Sequence, residues 1–276
     1  GPVNVALCIN NSSDNSVAEA RAAAAQSGRR LQVIISTQDF PPDLAHAGSA
    51  RRAAMDLGAE WLDDDDAIIV STDADCRPPP NWLAENLAQA GQMRIVGGRI
   101  ELDDAEAEKW PQLFARHRNF DDYWRKVREI EDAVDPVPWD LPPRHGDHTG
   151  ASLALTVGLY RAAGGVPIIP SGEDRALVAA AVAIGGQLVH PPTVWTRTSP
   201  RPTGRARGGM ADEMKRWLAM EKDAEWPHVP NYRFWHERAL WRRTMRPILG
   251  PARLMQAENE LPPMPCAMPL PTRLPK

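Results

Sequence analysis

The sequence predicts an α/β fold with a mostly parallel central sheet, flanking helices and a helical C-terminal extension. In the first hundred residues, short apolar segments rich in β-branched residues alternate with longer alanine-rich segments. This alternation is typical of parallel strands joined by crossover helices. Polar clusters follow two of the apolar segments, at 10–16 and 71–75, as expected at the edge of a sheet that binds ligands. Beyond residue 210 the sequence is rich in Trp and Arg, which predicts the extension.

The composition limits the classes of protein to consider. A chain of 276 residues with 43% hydrophobic and 25% charged residues is typical of a globular protein with one large core or two small ones. The net charge of −4 gives no general basic field, so we expect no nucleic-acid partner. No apolar run is long enough to span a bilayer and no signal peptide is visible. Three widely separated cysteines fit a reducing compartment, and we expect a cytoplasmic protein.

The elements of the first seventy residues follow from hydrophobic patterning. Apolar runs at 5–9 and 31–36 predict strands, and the alanine-rich segment 17–26 between them predicts a helix. A second helix is predicted to open at 46–54. The β-branched run 67–70 then predicts a short buried strand.

Two carboxylates one residue apart, Asp73 and Asp75, follow that strand directly. Such a pair can hold Mg²⁺ or Mn²⁺ while leaving coordination positions for water and substrate phosphates. The alternative is a solvated acidic turn, because Asp is common at the ends of strands. The motif therefore indicates a candidate site for a metal ion and a diphosphate.

The middle of the chain predicts a helix at 81–90, a strand at 95–102 and a long helix at 105–132. Aromatic residues on the long helix, Trp124 among them, recur mostly every three or four positions. This spacing predicts an amphipathic helix whose aromatic stripe packs in the core, and contact with substrate is the alternative.

The segment 144–152 contains His145, Asp147 and His148 before another apolar run. Imidazole and carboxylate side chains both bind transition metals, but this spacing does not repeat on one helix face. We favour polar contacts with a sugar or an acceptor, made by Asp147 and His148, over a second metal site. A purely structural loop is the third interpretation.

Glu173 and Asp174 precede a predicted helix at 175–184. Acidic residues in the first turn of a helix are favoured by its dipole, so this pair needs no function. The functional alternative is a general base that removes a proton from an acceptor hydroxyl. Both interpretations stay open on sequence alone.

A predicted strand pair at 188–195 leads into a basic loop with Arg201 and Arg205. A guanidinium can clamp a diphosphate through paired hydrogen bonds, so this loop is a candidate lid over a phosphate-bearing donor. A solvated basic loop is the alternative.

The C-terminal region is predicted in two parts, a helical segment rich in Trp and Arg at 210–250 and a proline-rich tail at 251–276. A basic helix with aromatic residues can lie on an anionic membrane surface. We favour the alternative, packing against the core or across a homodimer interface. The six prolines after residue 261 predict an extended arm or a disordered segment.

The order of these motifs resembles the family 2 glycosyltransferases of the GT-A fold. In that family a strand ends in a D-G-S-T-D-like turn. It is followed by a helix with an A-R-N-like segment, then by a D-x-D motif, and later by an E-D pair at the start of a helix. The corresponding segments here are N-N-S-S-D at 10–14, A-R-R at 50–52, D-A-D at 73–75 and E-D at 173–174. The resemblance covers residues 3–209, and we take residues 1–209 as the core domain. The usual first strand of the family has no counterpart in this resemblance.

The resemblance implies a nucleotide-diphosphate sugar donor, an unknown acceptor and Mn²⁺ or Mg²⁺, with Asp73 and Asp75 at the metal ion. It implies Asp174 as the base, with Glu173 orienting it or contacting the acceptor. The residues predicted to bind the donor are Asn10, Asp14, Arg51, Asp73, Arg201 and Arg205. The residues predicted to bind the acceptor are His148, Asp147 and Trp124.

Two departures from the family pattern bear on function. Many relatives have a metal-binding His near the end of a late strand, whereas this chain has Thr196–Ser199 there, and His190 or His145 would have to replace it. An inactive binding or scaffold protein is therefore the alternative to a transferase. A nucleotidyltransferase would need a glycine-rich, basic loop after its first strand, and residues 10–16 contain no Gly, Lys or Arg.

Overall fold

The computed structural model describes residues 1–204, 209–222 and 225–272. The strands in chain order are β1 Val3–Asn10, β2 Leu31–Gln38, β3 Ile68–Ser71, β4 Arg94–Gly97, β5 Arg99–Leu102, β6 Leu153–Thr156, β7 Gln187–Val189, β8 Trp195–Thr198, β9 His228–Val229 and β10 Met268–Pro269. The helices are α1 Ser16–Gln26, α2 Ala47–Leu62, α3 Trp82–Gln89, α4 Pro111–Val134, α5 Val157–Ala162, α6 Glu173–Ala183, α7 Met210–Lys222, α8 Tyr232–Met245 and α9 Pro251–Asn259. A 3₁₀ turn at Asp104–Lys109 precedes α4.

The predicted α/β fold is confirmed. Strands β1 and β2 pair in parallel, as do β4 with β7 and β5 with β8. The four-stranded sheet has the order β3-β6-β4-β7, and β6 runs antiparallel to both of its neighbours, so this sheet is mixed. A separate antiparallel pair joins β9 to β10.

The core lies on both faces of the four-stranded sheet. Leu153 and Leu155 of β6 are fully buried and pack with residues of α2, α5 and α6, while Ala154 faces the other side with Trp82 of α3. Since β6 is buried on both faces, its continuous apolar sequence is what a central strand requires. This core fixes the C-terminal end of β3 and the N-terminal end of α6, where the candidate site lies.

The predicted strand at 95–102 is divided into β4 and β5 at Gly97 and Gly98. A Cβ on Gly98 would lie 2.1 Å from Oγ of Ser152, and one on Gly97 would lie 2.4 Å from the carbonyl oxygen of Asp147. The two glycines therefore let the chain pass close to the loop before β6 and move from one sheet to the next.

Three further predictions differ from the structure. The segment 105–132 is a 3₁₀ turn followed by α4, because Pro111 begins a new helix at its first position. The predicted strand pair at 188–195 is instead β7 and β8, which join different sheets. The region 251–276 begins with helix α9, again with a proline at its first turn, and continues to β10.

The extension packs against the core. Trp217 of α7 stacks on Phe120 of α4 with ring centroids 5.0 Å apart, and Nε1 of Trp235 on α8 donates to the hydroxyl of Tyr123. Arg242 of α8 pairs with the buried carboxylate of Glu131 on α4. These contacts agree with the packing interpretation of the aromatic and basic residues. Among the described residues, no helix combines the length and apolar character needed to cross a membrane.

Candidate functional site

The acidic pair lies just beyond β3, where the chain turns away from the four-stranded sheet. Asp73 and Asp75 expose 42% and 38% of their side chains. Together with the thiol of Cys76 they offer three potential ligand atoms within 4.8 Å of one another. In the described part of the chain, this is the group whose geometry suits a metal ion.

Cys76 is the member of this group that sequence analysis did not select as a ligand. Its N–H donates to the carbonyl oxygen of Asp73, 3.1 Å away, so a tight turn brings its side chain back to the carboxylates. Burial and the neighbouring charge of Asp73 raise the pKa of the Cys76 thiol to about 11. The two carboxylates are hard oxygen ligands and the thiol is a soft one, so the carboxylate pair is the part of this group that suits a hard cation.

Arg51 of α2 connects the acidic pair to the rest of the site. Its guanidinium donates to Oδ1 of Asp73 at 2.6 Å and to Oε1 of Glu173 at 3.1 Å. Its Nη1 also donates to Oγ of Ser71 and to the carbonyl oxygen of Gly150, both at 2.9 Å. The side chain is 11% exposed, so these bonds are made away from bulk water.

The predicted role of Arg51 as a ligand for donor phosphates stays a prediction, and the contacts that the structure shows are with protein groups. Its guanidinium holds two carboxylates and a carbonyl, and it thereby fixes the position of Asp73 relative to α6. Sequence could not indicate this, because Arg51 and Glu173 are 122 residues apart.

Glu173 and Asp174 begin α6, as predicted, after Gly172 in the left-handed conformation (φ 78°). Glu173 is buried with its partner Arg51, whereas Asp174 is half-buried. Oδ2 of Asp174 accepts the N–H of Gly150 at 2.7 Å, and Oδ1 accepts the N–H of Arg175 at 2.7 Å. Each carboxylate oxygen of Asp174 keeps a lone pair for a further donor such as an acceptor hydroxyl.

Gly150 contacts both Arg51 and Asp174, through its carbonyl oxygen and its N–H respectively. A Cβ on this residue would lie 2.0 Å from Cζ of Arg51. We therefore expect Gly150→Ala to expel the guanidinium and leave Glu173 buried without its cation, which costs about 3–5 kcal/mol. Urea unfolding of this variant beside Gly250→Ala, where an added Cβ meets nothing within 4 Å, measures the effect. Equal stability of the two variants would contradict the described role of Gly150.

Of the two predicted phosphate-binding arginines of the basic loop, Arg201 reaches the acidic pair. Its Nη2 lies 3.1 Å from Oδ2 of Asp75, and its side chain is 55% exposed. Arg205 lies outside the described residues. Asp75 therefore lies next to the exposed guanidinium of Arg201, and Asp73 lies next to the buried guanidinium of Arg51.

The predicted donor-binding residues at the end of β1 and just beyond it, Asn10 and Asp14, make local contacts. Oδ1 of Asp14 accepts from the N–H and hydroxyl of Ser16 and from the hydroxyl of Ser12, which ties down the start of α1. Asn10 donates to Oδ1 of Asn11 at 3.3 Å, and Asn11 in turn donates to the carbonyl oxygen of Phe40. These contacts stabilise the turn, and the donor-binding role of Asn10 and Asp14 stays a prediction.

The predicted acceptor-binding residues lie in two places. Asp147 accepts the N–H of Ile100 at 3.0 Å, and burial raises its pKa. Nδ1 of His148 lies 2.9 Å from the carbonyl oxygen of Gly146, in the loop that leads to Gly150. Trp124 projects from α4, 40% exposed, with the guanidinium of Arg128 5.6 Å from its ring centre.

The histidines of this loop pack against His190, which comes from the end of β7. The ring centroids of His145 and His148 lie 5.3 and 5.7 Å from that of His190. Asp140 accepts from Nδ1 of His190 at 2.8 Å and from its backbone N–H at 2.7 Å. Neither His145 nor His190 belongs to the metal-binding group found among the described residues.

This cluster predicts sensitivity to acid. Burial and the neighbouring His190 lower the pKa of His145 to about 3. Because the unfolded chain takes up this proton near pH 6.5 and the folded chain does not, stability is complete above that pH and is lost as pH falls towards 3. The expected slope is at most ~1.4 kcal/mol per pH unit for this histidine. Urea titrations between pH 7 and 4 should show a shallower slope for His145→Gln than for the original chain, and identical slopes would contradict the prediction.

No protein-family model matches the sequence, and a search of curated proteins finds no match. Among solved structures, the chain is similar to the mannosyltransferase PcManGT from Pyrobaculum calidifontis in complex with GDP-Man and Mn²⁺. The TM-score is 0.44 and the sequence identity 18%, over 94% of this chain and 67% of that chain. The chemistry of the site is therefore inferred from the residues of this chain.

Proposed function

We propose that this chain is a metal-assisted glycosyltransferase, which moves a sugar from a nucleotide-diphosphate sugar to an acceptor hydroxyl, with inversion at the sugar carbon. The observation that carries the proposal is the placement of the two carboxylates beyond β3 beside the acidic start of α6. Arg51 links Asp73 to Glu173 directly, and Gly150 links Arg51 to Asp174. The candidate cation site and the candidate base are thus joined by one hydrogen-bonded network.

The donor set fits Mn²⁺ or Mg²⁺. Asp73 and Asp75 are exposed enough to accept a cation from solvent, and each has a second carboxylate oxygen beyond the one paired with Arg51 or Arg201. A site with few protein ligands leaves positions for substrate phosphates. When bound, the cation would neutralise the negative charge that develops on the departing diphosphate.

The chain's own residues supply the remaining roles. Asp174 is oriented by two backbone N–H groups. It would take the proton of the acceptor hydroxyl while the hydroxyl oxygen bonds to the sugar carbon. Arg201 lies on the exposed side of Asp75 and would contact the diphosphate of the donor. His148 and Trp124 would contact the acceptor, and Arg51 would hold Asp73 and Glu173 in register.

Release of nucleoside diphosphate from a panel of nucleotide sugars tests the proposal. The full chain is incubated with UDP-, GDP- and dTDP-sugars, with Mn²⁺, Mg²⁺ or a chelator, and the released nucleotide is quantified. The proposal predicts release from at least one donor that requires the cation and rises when a hydroxyl-bearing acceptor is added. Absence of release, together with absence of nucleotide binding, would favour a scaffold protein instead.

A further inference from the structure

Helix α8 has an outward face as well as the face that packs against α4. Buried Ala239 and the ion pair of Arg242 with Glu131 mark the packed side. The exposed residues of the helix recur every three or four positions, as expected for one side turned to solvent, and they form its outward face: Arg233, His236, Glu237, Leu240, Arg243 and Thr244. Packing against the core therefore accounts for one side of this helix only.

The turn between α8 and α9 continues the outward face. It reads P-I-L-G at 247–250, and Ile248 exposes 70% of its surface. The N–H groups of Ile248 and Leu249 both donate to the carbonyl oxygen of Met245, at 3.0 and 2.8 Å, so the turn is closed by hydrogen bonds while the isoleucine stays in solvent. Leu240 on α8 exposes 44%. A hydrogen-bonded part of the chain thus leaves two large aliphatic side chains in water.

Arginines flank these aliphatic side chains. Residues 233–253 contain six arginines and one glutamate in a chain whose net charge is −4, so positive charge is concentrated in this segment. Arg242 and Arg246 neutralise carboxylates at the end of α4. The arginines at 233, 243 and 253 are exposed, and within the described ranges none of them makes an ion pair with a carboxylate. Their charges are therefore available to an anionic partner.

An anionic lipid surface matches both properties of this face. The phosphates of its headgroups lie directly over an apolar layer, so a helix lying along it can place arginines against phosphates and aliphatic side chains in the layer beneath. A nucleic acid offers phosphates without that apolar layer and does not match Leu240 and Ile248. The charge and the apolar side chains together thus favour a lipid surface.

We propose that the outward face of α8 and the 247–250 turn dock this chain on an anionic membrane surface. Leu240 and Ile248 enter the boundary between headgroups and acyl chains, and the exposed arginines contact lipid phosphates. The chain lies on the surface without crossing it, in keeping with the finding that no described helix is long and apolar enough to span a bilayer. This docking is independent of the proposed transferase activity.

Cosedimentation with lipid vesicles tests the proposal on the full chain. The probes are vesicles of phosphatidylcholine alone and vesicles of phosphatidylcholine mixed with phosphatidylserine. The proposal predicts binding to the mixed vesicles that exceeds binding to the neutral ones at least about tenfold, because each arginine near an anionic surface strengthens binding about fivefold. Binding should weaken as salt is raised, since salt screens the exposed charges.

Two pairs of variants separate the apolar from the electrostatic contribution. Ile248→Ser and Arg243→Gln should each weaken binding to the mixed vesicles at least about fivefold. Their matched controls are Leu87→Ser, at a leucine 49% exposed on α3, and Arg21→Gln, at an exposed arginine on α1. Both controls should bind within about twofold of the original chain. All four positions are exposed, and urea unfolding verifies that the variants stay folded.

Four results would overturn the proposal. The first two are absence of sedimentation with the mixed vesicles and equal sedimentation with both kinds. The third is an equal effect of Ile248→Ser and its control. The fourth is a loss with Arg243→Gln but none with Ile248→Ser, because a surface that attracts anions without inserting an apolar side chain suits an acidic protein and not a membrane.

Discussion

Asp174→Asn is expected to lower turnover by about 10²–10⁴-fold while the affinity for the nucleotide-sugar donor stays within about twofold. The amide keeps the size of the side chain and an oxygen that can accept the N–H of Gly150. It cannot accept the proton of the acceptor hydroxyl, so the loss falls on the chemical step. Initial rates of nucleotide release at saturating donor, with donor affinity measured separately, give the two quantities.

A matched variant separates the base from the helix start that carries it. Arg175→Gln changes the exposed residue next to Asp174 and should leave turnover within about twofold. Asp174→Asn with normal turnover would remove Asp174 from the mechanism. A parallel loss of donor binding and turnover would show that Asp174 only stabilises the loop at Gly150.

Asp75→Asn is expected to weaken the binding of Mn²⁺ by at least about tenfold, because the site depends on two carboxylates and this change removes one charge. Because the Asp75 side chain is exposed, its replacement should leave the fold intact. Free Mn²⁺ can be quantified by its electron paramagnetic resonance signal during titration of the chain. Asp63→Asn, in the exposed acidic run before β3, is the control and should bind Mn²⁺ as the original chain does.

The two variants distinguish a specific site from general attraction of cations by acidic residues. If Asp63→Asn and Asp75→Asn weaken binding equally, the carboxylates beyond β3 hold no particular ion. If neither variant changes it, the ion binds elsewhere. Either result would contradict the assignment of Asp75 as a metal ligand.

The parts of the fold that the sequence predicted well are those where local pattern and burial agree. The β-branched run of β3 and the polar residues after it predicted both a strand and the place of the acidic pair. Two of the boundaries that differ lie at Gly97 and Pro111, which interrupt an otherwise continuous pattern. The antiparallel direction of β6 depends on its neighbours, and nothing in its four apolar residues indicates it.

The site was predicted in its residue types more than in its contacts. Asp73, Asp75, Glu173 and Asp174 lie together with Arg51, but the role of Arg51 depends on a partner 122 residues away. The same limit applies to His190, which packs on His145 although 45 residues separate them. Pairings of this kind follow from the folded sheet, since hydrophobic periodicity has no information about which polar side chains meet.

Calorimetric titration with GDP and UDP, with and without Mn²⁺, tests the central claim most directly, namely that Asp73 and Asp75 bind a cation together with a nucleoside diphosphate. Asp75→Asn is titrated in parallel. The account predicts binding of at least one nucleotide that requires Mn²⁺ and is lost or weakened at least about tenfold in the variant. Binding that is independent of both Mn²⁺ and Asp75, or absence of binding by either nucleotide, would contradict it.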